Sequence, residues 1–184
     1  RIVPIKVLDD TGNGTTATVV CGIDHLVALR QDGNPANDVL VANMSLGETG
    51  GAGNCADGAM RQAICAAVGA GITFVVAAGN STVDADTFYP ANFPEVITVS
   101  ASMDTDGEPG GLGGCTFFGL LCDDQLAYFS NFGAAIDVTA PGVGVQSTWK
   151  DGGYGSSDGT SMASPHAAGV AALIVGARAG LSPA

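Results

Sequence analysis

The most constraining feature of the sequence is an alternation of short apolar runs, rich in β-branched residues, with longer segments of helical periodicity. The apolar runs predict strands at 2–8, 39–46, 72–78 and 96–101, and a shorter extended segment at 137–141. Helical spacing predicts helices at about 15–30, 57–68 and 161–176. Strands that alternate with helices need crossover connections, so we predict an α/β fold with a mostly parallel sheet.

The balance of charge excludes several classes of partner. The chain has 6 Lys and Arg against 18 Asp and Glu, a formal net charge of -12. Binding to nucleic acid or to an anionic membrane surface needs clustered basic residues, so neither partner is expected. The longest uncharged stretch, 62–83, contains Gly69-Ala70-Gly71 and then a β-branched run, which favours helix, turn and buried strand over a membrane span. With 46% hydrophobic residues, we predict one domain over 1–184.

The five cysteines lack paired Cys-x-x-Cys spacing, so no zinc site is expected. Several cysteines in an acidic, lysine-poor chain favour an oxidising, extracellular setting. Cys115 and Cys122 bracket a short loop and are predicted to form a disulfide. Cys55 and Cys65 can bond only if the chain before the intervening helix folds back. Cys21 is predicted to be a free thiol, buried as a small hydrophobe.

Candidate site residues follow the ends of the predicted strands, where ligands bind in open α/β sheets. They lie at 45–48, at 79–81 and in the glycine-rich run that leads into 159–166. Ser161 stands where a helix opens, so its hydroxyl lies at the positive end of that helix. By position alone, the favoured interpretation of Ser161 is a helix N-cap, because serine is among the commonest N-cap residues.

Three sequence strings resemble those of a known family and occur in the same order and spacing as in that family. Gly-Thr-Ser-Met-Ala-Ser-Pro-His-Ala-Ala-Gly-Val-Ala-Ala-Leu (159–173) resembles the nucleophile segment of the subtilisin-like serine proteases. Asn-Met-Ser-Leu-Gly (43–47) is similar to their substrate-binding strand end, and Val-Val-Ala-Ala-Gly-Asn (75–80) to their oxyanion-hole strand. Tyr-Pro at 89–90, Phe-Ser-Asn-Phe-Gly at 129–133 and Ala-Pro-Gly at 140–142 are also similar to family positions.

The resemblance covers nearly the whole chain and implies a subtilisin-like, three-layer fold with helices on both faces of the sheet. It matches about the C-terminal two-thirds of a catalytic domain, so 1–184 is expected to be a single partial peptidase domain, incomplete at both ends. The implied function is a secreted serine endopeptidase that acts on peptides or proteins through an acyl-enzyme. Ser161 would be the nucleophile, and the Asn80 side chain would stabilise the oxyanion together with the Ser161 N–H.

The resemblance also implies a substrate-binding site. The backbone of Ser45, Leu46 and Gly47 would pair with an extended peptide as an added strand. One wall of the primary specificity pocket would consist of small residues: Ala77, Ala78 and Gly79. These leave room for a large apolar side chain, although Phe88 is expected to fill part of the far end.

A base for Ser161 is not evident in the sequence. A serine hydroxyl needs a histidine oriented by a carboxylate, and the chain has only His25 and His166. His166 is five residues beyond Ser161 on the same helix, a rotation of roughly 140°. His25 lacks the family's His-Gly-Thr context, so it is expected to be a surface residue. The family's aspartate and histidine segments would precede Arg1, so the N-terminal portion of the same domain is the expected partner, without which the chain would be inactive.

Three further interpretations concern metals and alternative functions. No cofactor is expected for the chemistry, and structural calcium is a candidate at the acidic loops 9–14 and 104–108 or near Asp137, with hydrated turns as the simpler interpretation. One alternative function is an inactive peptide-binding or structural fragment, or a pseudoprotease. Another is an esterase of a different fold, which needs a Gly-x-Ser-x-Gly elbow that Ser161 lacks.

Overall fold

The secondary structure follows the predicted alternation of strands and helices. The computed structural model describes residues 1–51, 53–116, 121–178 and 181. The helices are α1 (Thr16–Gln31), α2 (Ala59–Gly69) and α3 (Thr160–Ala177), with short 3₁₀ turns at Ala85–Thr87 and Lys150–Gly152. The strands are β1 (Val41–Met44), β2 (Glu48–Thr49), β3 (Thr73–Ala77), β4 (Phe88–Tyr89), β5 (Ile97–Ser102), β6 (Cys115–Thr116), β7 (Leu121–Cys122), β8 (Val138–Pro141), β9 (Val145–Thr148) and β10 (Tyr154–Ser157).

Four parallel strands form the central sheet in the order β1-β3-β5-β8. Its register pairs Val41 with Thr73, Val75 with Ile97 and Val99 with Val138. Strands connected in parallel need crossovers, and α2 supplies the crossover from β1 to β3. The predicted parallel sheet is therefore confirmed, with each of these strands inside or within one residue of its predicted range.

The two faces of the sheet carry separate hydrophobic cores, which confirms the three-layer arrangement. Side chains of Phe74 and Val76 point to one face, where α1 and α2 pack. The intervening Val75 points to the other face, where it packs with Ala163 and Ala168 of α3. This alternation is the two-residue period of a strand, and every position of β3 is buried because helices cover both sides.

The predicted strand at 2–8 is wrong, because the structure gives this segment no strand pairing. Its apolar residues Ile5 and Val7 are nevertheless partly buried, because they pack against the core beside α1. The close approach depends on Gly22 of α1, where an added Cβ would lie 3.1 Å from Ile5 Cγ2. A strand needs a neighbour for its backbone groups, and within the described residues β1 pairs only with β3.

Helix α1 begins with a capping box at the position that the sequence predicts. Thr15 accepts a hydrogen bond from the Thr18 N–H at 3.2 Å, and the Thr18 hydroxyl accepts one from the Thr15 N–H at 3.0 Å. The helix turns Val19 and Ile23 into the core. Cys21, two residues after Val19, therefore lies on the opposite side and is exposed. The prediction that this free thiol is buried is wrong.

Two disulfides are present in the described residues. Cys115 and Cys122 face each other across the β6–β7 ribbon and are bonded, as predicted. Cys55 is bonded to Cys65 with their Cα atoms 5.9 Å apart. Cys55 precedes α2, and the chain folds back through a turn in which the Asp57 N–H donates to the Asn54 carbonyl at 2.8 Å. The condition for the second disulfide is therefore met.

Three small antiparallel ribbons are absent from the sequence prediction: β2–β4, β6–β7 and β9–β10. The β9–β10 hairpin closes where the Trp149 N–H donates to the Gly153 carbonyl at 2.8 Å. Each of its strands has only four residues. Because of the glycines in and around its turn, the sequence predicts a glycine-rich loop here and not a hairpin. Across the described chain, no helix combines the length and the apolar character needed to cross a bilayer.

Candidate active site

Ser161 is the second residue of α3 and is partly buried. The helix is capped at its N-terminus by Gly159, whose φ of +150° is unfavourable for any residue with a side chain. Ser161 is therefore not the N-cap, and its hydroxyl is not needed to cap the helix. Thr160, between the two, is fully buried.

A hydrogen-bond network joins the start of α3 to the end of β1. The Ser161 hydroxyl donates to the Ser45 carbonyl at 3.4 Å, and the Ser45 hydroxyl is 3.0 Å from the Ser161 carbonyl. Ser45 and Ser164 hydroxyls lie 2.8 Å apart. Asn43 bridges both, donating to Ser45 Oγ at 2.9 Å and accepting from Ser164 Oγ at 2.8 Å. These contacts hold Ser161 beside the end of β1.

Asn80 follows β3 and is held by Thr160. Its Oδ1 accepts from the Thr160 N–H and from the Thr160 hydroxyl, both at 2.8 Å. A backbone N–H can only donate, so the side-chain oxygen of Asn80 must face Thr160. The Thr160 hydroxyl also accepts from the Gly79 N–H at 3.1 Å. Thr160 thereby joins the first turn of α3 to the end of β3.

The amide nitrogen of Asn80 and the backbone nitrogen of Ser161 border the same small space. A Cβ placed on Gly159 would lie 3.4 Å from Asn80 Nδ2 and 3.6 Å from Ser161 N. Glycine leaves this space open. Two N–H donors at the positive end of a helix can stabilise a negative oxygen that develops there.

A buried asparagine that the sequence analysis did not single out shapes the loop that carries Asn80. Asn131 Nδ2 donates to the Ala78 carbonyl at 2.8 Å, and its Oδ1 accepts from the N–H groups of Ser81 and Val83 at 3.0 and 3.2 Å. Its backbone N–H donates to the Gly79 carbonyl at 2.9 Å. The only sequence signal for this role is its place in the Phe-Ser-Asn-Phe-Gly string.

The predicted pocket residues are also brought together. Ala77, Ala78 and Gly79 are buried at the end of β3. The ring of Phe88 lies close to two glycines, Gly47 and Gly79. A Cβ added to Gly47 would lie 2.8 Å from the ring, and a Cβ added to Gly79 would lie 3.1 Å from it. Leu46, between the strand end and Gly47, packs its side chain into the core on the α1 and α2 side.

In the described structure, neither histidine is hydrogen-bonded to Ser161. His166 is exposed, and its Nδ1 lies 2.9 Å from the Met162 carbonyl of its own helix. His25 is exposed on α1. The hydrogen bond that the Ser161 hydroxyl donates goes instead to the Ser45 carbonyl. These positions agree with the expectation that both histidines are structural or surface residues.

Two of the acidic groups considered as calcium ligands, Asp9 and Asp137, accept hydrogen bonds from nearby groups. In the 9–14 loop, hydrogen bonds from the Thr11 side chain and from the backbone of Asn13 and Thr11 lower the pKa of Asp9. Asp137 accepts from the Thr98 N–H at 2.8 Å.

The carboxylates of Asp104, Asp106 and Asp123 each place an oxygen within 4.8 Å of the other two. Among the described residues, this is the one cluster of three carboxylates whose oxygens come this close together.

Comparison with known proteins matches the whole of residues 1–184 to the Subtilase family. Alkaline serine exoprotease A of Vibrio alginolyticus is 38% identical over 183 residues, which are 100% of this chain and 29% of the relative. A cuticle-degrading serine protease of Arthrobotrys oligospora is 40% identical over 182 residues, 98% of this chain and 37% of the relative. The chain therefore spans about a third of the length of these relatives.

Solved structures show the same similarity. A cold adapted subtilisin-like serine proteinase matches with a TM-score of 0.75 and 37% identity, over 97% of this chain and 54% of that one. A protease from Pseudoalteromonas arctica matches with a TM-score of 0.77 and 35% identity, over 98% of this chain and 52% of that one. On the match of its full sequence and on its fold, the chain belongs to the subtilase family.

Proposed function

We propose that the chain is the part of a serine endopeptidase that carries the nucleophile, the oxyanion site and the substrate-binding strand end. The observation that supports this most directly is the placement of Ser161 next to a space bordered by two N–H donors, Asn80 Nδ2 and Ser161 N. Membership of the subtilase family supports the same activity.

In the proposed reaction, Ser161 Oγ bonds to the carbonyl carbon of the scissile peptide, and the carbonyl oxygen becomes negative. The Asn80 amide and the Ser161 N–H stabilise that charge more strongly than they stabilise the neutral carbonyl. The carbon–nitrogen bond then breaks, and a base passes the serine proton to the leaving amine. Water hydrolyses the resulting acyl-enzyme and regenerates the hydroxyl.

The substrate would lie along residues 45–47 as an added strand. Gly47 is exposed, and Ser45 lies against Ser161 through its carbonyl. Main-chain pairing of this kind recognises an extended peptide largely independently of its sequence. It would also bring the scissile carbonyl next to the Ser161 hydroxyl.

The base is proposed to come from polypeptide outside these 184 residues, because His25 and His166 both lie away from Ser161. We place that polypeptide, the N-terminal portion of the protease domain, in an apolar groove of about 840 Å³. The groove is bordered by residues 1–8, α1, β1 and one side of α3. β1 pairs on one edge only within the described sheet, so its other edge can accept a strand.

The surface of α3 supports an additional covering segment. Three of its large apolar residues are strongly exposed: Val170, Leu173 and Ile174, with Leu173 75% exposed. A helix that is apolar on several sides is normally enclosed by other elements. The relatives with solved structures have nearly half of their length outside the matched region, which is sufficient chain for this purpose.

An extracellular site of action is proposed on two grounds. The chain carries two disulfides, which persist in oxidising compartments. Its relatives include proteins named as an exoprotease and as a cuticle-degrading protease.

The proposed chemistry needs no metal or cofactor. Structural calcium, the remaining candidate, would bind where Asp104, Asp106 and Asp123 converge, since carboxylate oxygens are its preferred ligands. A rise in melting temperature with added calcium that is lost in Asp104→Asn would support this site. Equal melting with calcium or with a chelator would remove it.

Hydrolysis assays on the complete gene product test the function. We expect cleavage of unstructured peptides at internal bonds, abolished by Ser161→Ala and unchanged by Ser156→Ala, an exposed serine of β10. Absence of hydrolysis from a folded complete protein that still binds peptides would instead establish the alternative, an inactive peptide-binding relative.

A further inference from the structure

We propose that Ser164 and Asn43 are positioning residues for the nucleophile and that they act through Ser45. The three side chains close a ring of hydrogen bonds beside the end of β1. The ring holds the Ser45 carbonyl, which accepts the hydrogen bond of the Ser161 hydroxyl. The inference rests on the proposed function and adds two residues to its machinery.

The local structure directs both side chains to the interface between α3 and β1. Ser164 lies three residues after Ser161, so their side chains lie on the same face of the helix. Asn43 stands between Ala42 and Met44, which are buried in the core beside α1 and α2. Because side chains alternate along a strand, Asn43 points to the opposite side of the sheet, where α3 packs. Positions between a parallel sheet and its covering helix are usually apolar, so a serine and an asparagine there need a polar role.

The hydroxyl of Ser164 makes contacts with a distant part of the chain. A serine inside a helix usually faces solvent or bonds to the carbonyl four residues earlier. Ser164 is fully buried, and its Oγ donates to Asn43 Oδ1 at 2.8 Å across 121 residues of sequence. Its Oγ also lies 2.8 Å from the Ser45 hydroxyl. The hydrogen bonds of this buried hydroxyl therefore join α3 to β1.

The hydrogens available to the three groups give the ring one direction. Asn43 Nδ2 can only donate and lies 2.9 Å from Ser45 Oγ, whereas Asn43 Oδ1 can only accept. Ser45 and Ser164 have one hydroxyl hydrogen each. When Ser164 donates to Asn43, Ser45 must donate to Ser164, so each member donates once and accepts once. Hydrogen bonds connected in this way polarise and strengthen one another.

The ring affects the reaction because it holds the acceptor that the nucleophile must leave. The Ser161 hydroxyl donates to the Ser45 carbonyl at 3.4 Å, longer than the about 2.5–3.0 Å that is typical of such bonds. The hydroxyl is therefore oriented but weakly held, and a base can replace this acceptor at little cost. Without the ring, the Ser45 carbonyl loses its fixed place beside Ser161. Misplacing a reacting group by about 1 Å can cost about 10²-fold in rate.

The test uses the complete gene product with Ser164→Ala, Asn43→Ala and the double variant. Each single variant should lower kcat and the rate constant of fluorophosphonate labelling by about tenfold, within the range that misplacement of a nucleophile causes. KM should change by less, because the ring acts on the nucleophile. Removing either member breaks the ring, so the double variant should be no slower than the single ones. Two independent contributions would instead multiply to about a hundredfold.

Ser100→Ala is the matched control for the loss of a buried serine hydroxyl. Ser100 of β5 is 1% exposed, and its Oγ lies 2.7 Å from Thr139 Oγ1 of β8. Its neighbours Val99 and Ala101 pack on the α3 side, so Ser100 points to the other face of the sheet. This variant should melt at a lower temperature with unchanged kcat. Asn43 is exposed, so Asn43→Ala tests the ring even where the loss of a buried hydroxyl impairs folding.

Wild-type kcat and labelling in both single variants overturn the inference and leave the proposed function intact. A double variant about a hundredfold slower than the wild type also overturns it, because the two side chains would then act independently. Absence of hydrolysis by the wild type, with no labelling of Ser161 by a fluorophosphonate, overturns the proposed function and the inference together.

Discussion

The side-chain oxygen of Asn80 accepts two hydrogen bonds from Thr160, one from its backbone N–H and one from its hydroxyl, each 2.8 Å long. These bonds leave the Asn80 amide nitrogen beside the space at Gly159 that Ser161 N also borders. The orientation of a surface asparagine is therefore set by a buried threonine of α3. The proposed oxyanion site depends on this pair as well as on Ser161.

Asn80→Ala is expected to lower kcat of the complete enzyme with little change in KM, because the amide acts mainly on the transition state. The expected loss of about 10²–10³-fold is taken over from the corresponding donor in subtilisin and is not an independent estimate. Steady-state kinetics at saturating peptide measure it, and an unchanged kcat would remove Asn80 from the site.

Thr160→Val should lower both activity and stability. It removes the hydroxyl that donates to Asn80 and leaves the buried Gly79 N–H without its 3.1 Å acceptor, a cost of about 1–3 kcal/mol. Thr160→Ser keeps both hydrogen bonds and serves as the control. Denaturant unfolding and kcat are measured on the same preparations. Equal stability of the valine variant and the wild type would contradict this role.

Asn131→Ala is expected to destabilise the loop that carries Asn80. Asn131 is fully buried, and its side chain satisfies the Ala78 carbonyl and the N–H groups of Ser81 and Val83. Each buried group left unpaired costs about 1–3 kcal/mol, so the melting temperature should fall clearly. The exposed Asn13→Ala is the matched control. If both variants melt alike, Asn131 does not brace the loop.

The pKa of Asp123 predicts a pH-dependent loop. Hydrogen bonds from the backbone N–H groups of Thr105 and Gly113 lower that pKa. A lowered folded-state pKa means that the stabilisation is fully present above the ordinary value of about 4 and is lost as pH falls through the lower, folded-state value. Hydrogen exchange at Thr105 and Gly113 should therefore differ between wild type and Asp123→Asn at neutral pH and converge in acid.

The control for this comparison is Asp10→Asn, in a separate exposed loop. It should leave the exchange of Thr105 and Gly113 unchanged at every pH. A wild type whose protection at these two amides stays constant down to strongly acid pH would show that the Asp123 carboxylate does not hold the loop.

The sequence predicts those features that depend on short segments. Strands β1, β3, β5 and β8 follow from apolar runs, and the position of Ser161 follows from a contiguous motif. The contacts that orient the site could not be predicted in the same way. Ser45 and Ser161 are 116 residues apart, and Asn131 reaches residues about 50 positions earlier. Such contacts depend on the crossovers that bring strand ends together.

The errors have physical causes as well. Residues 2–8 have the composition of a strand, yet a strand requires a partner, and the described sheet ends at β1. Cys21 sits among Val19, Val20 and Ile23 in the sequence, but the rotation of α1 turns it outward. The β2–β4 ribbon, in which Phe88 pairs with Thr49, is also absent from the sequence prediction, because ribbons of two residues leave almost no periodic signal.

Labelling of Ser161 by a fluorophosphonate tests the central claim most directly. The 184-residue chain is labelled alone and after mixing with the proposed N-terminal portion of the protease domain, and Ser161→Ala serves as the blank. The account predicts slow labelling of the chain alone, because neither His25 nor His166 reaches the hydroxyl, and a large increase after mixing. Rapid labelling at Ser161 by the chain alone, unchanged on mixing, would contradict it.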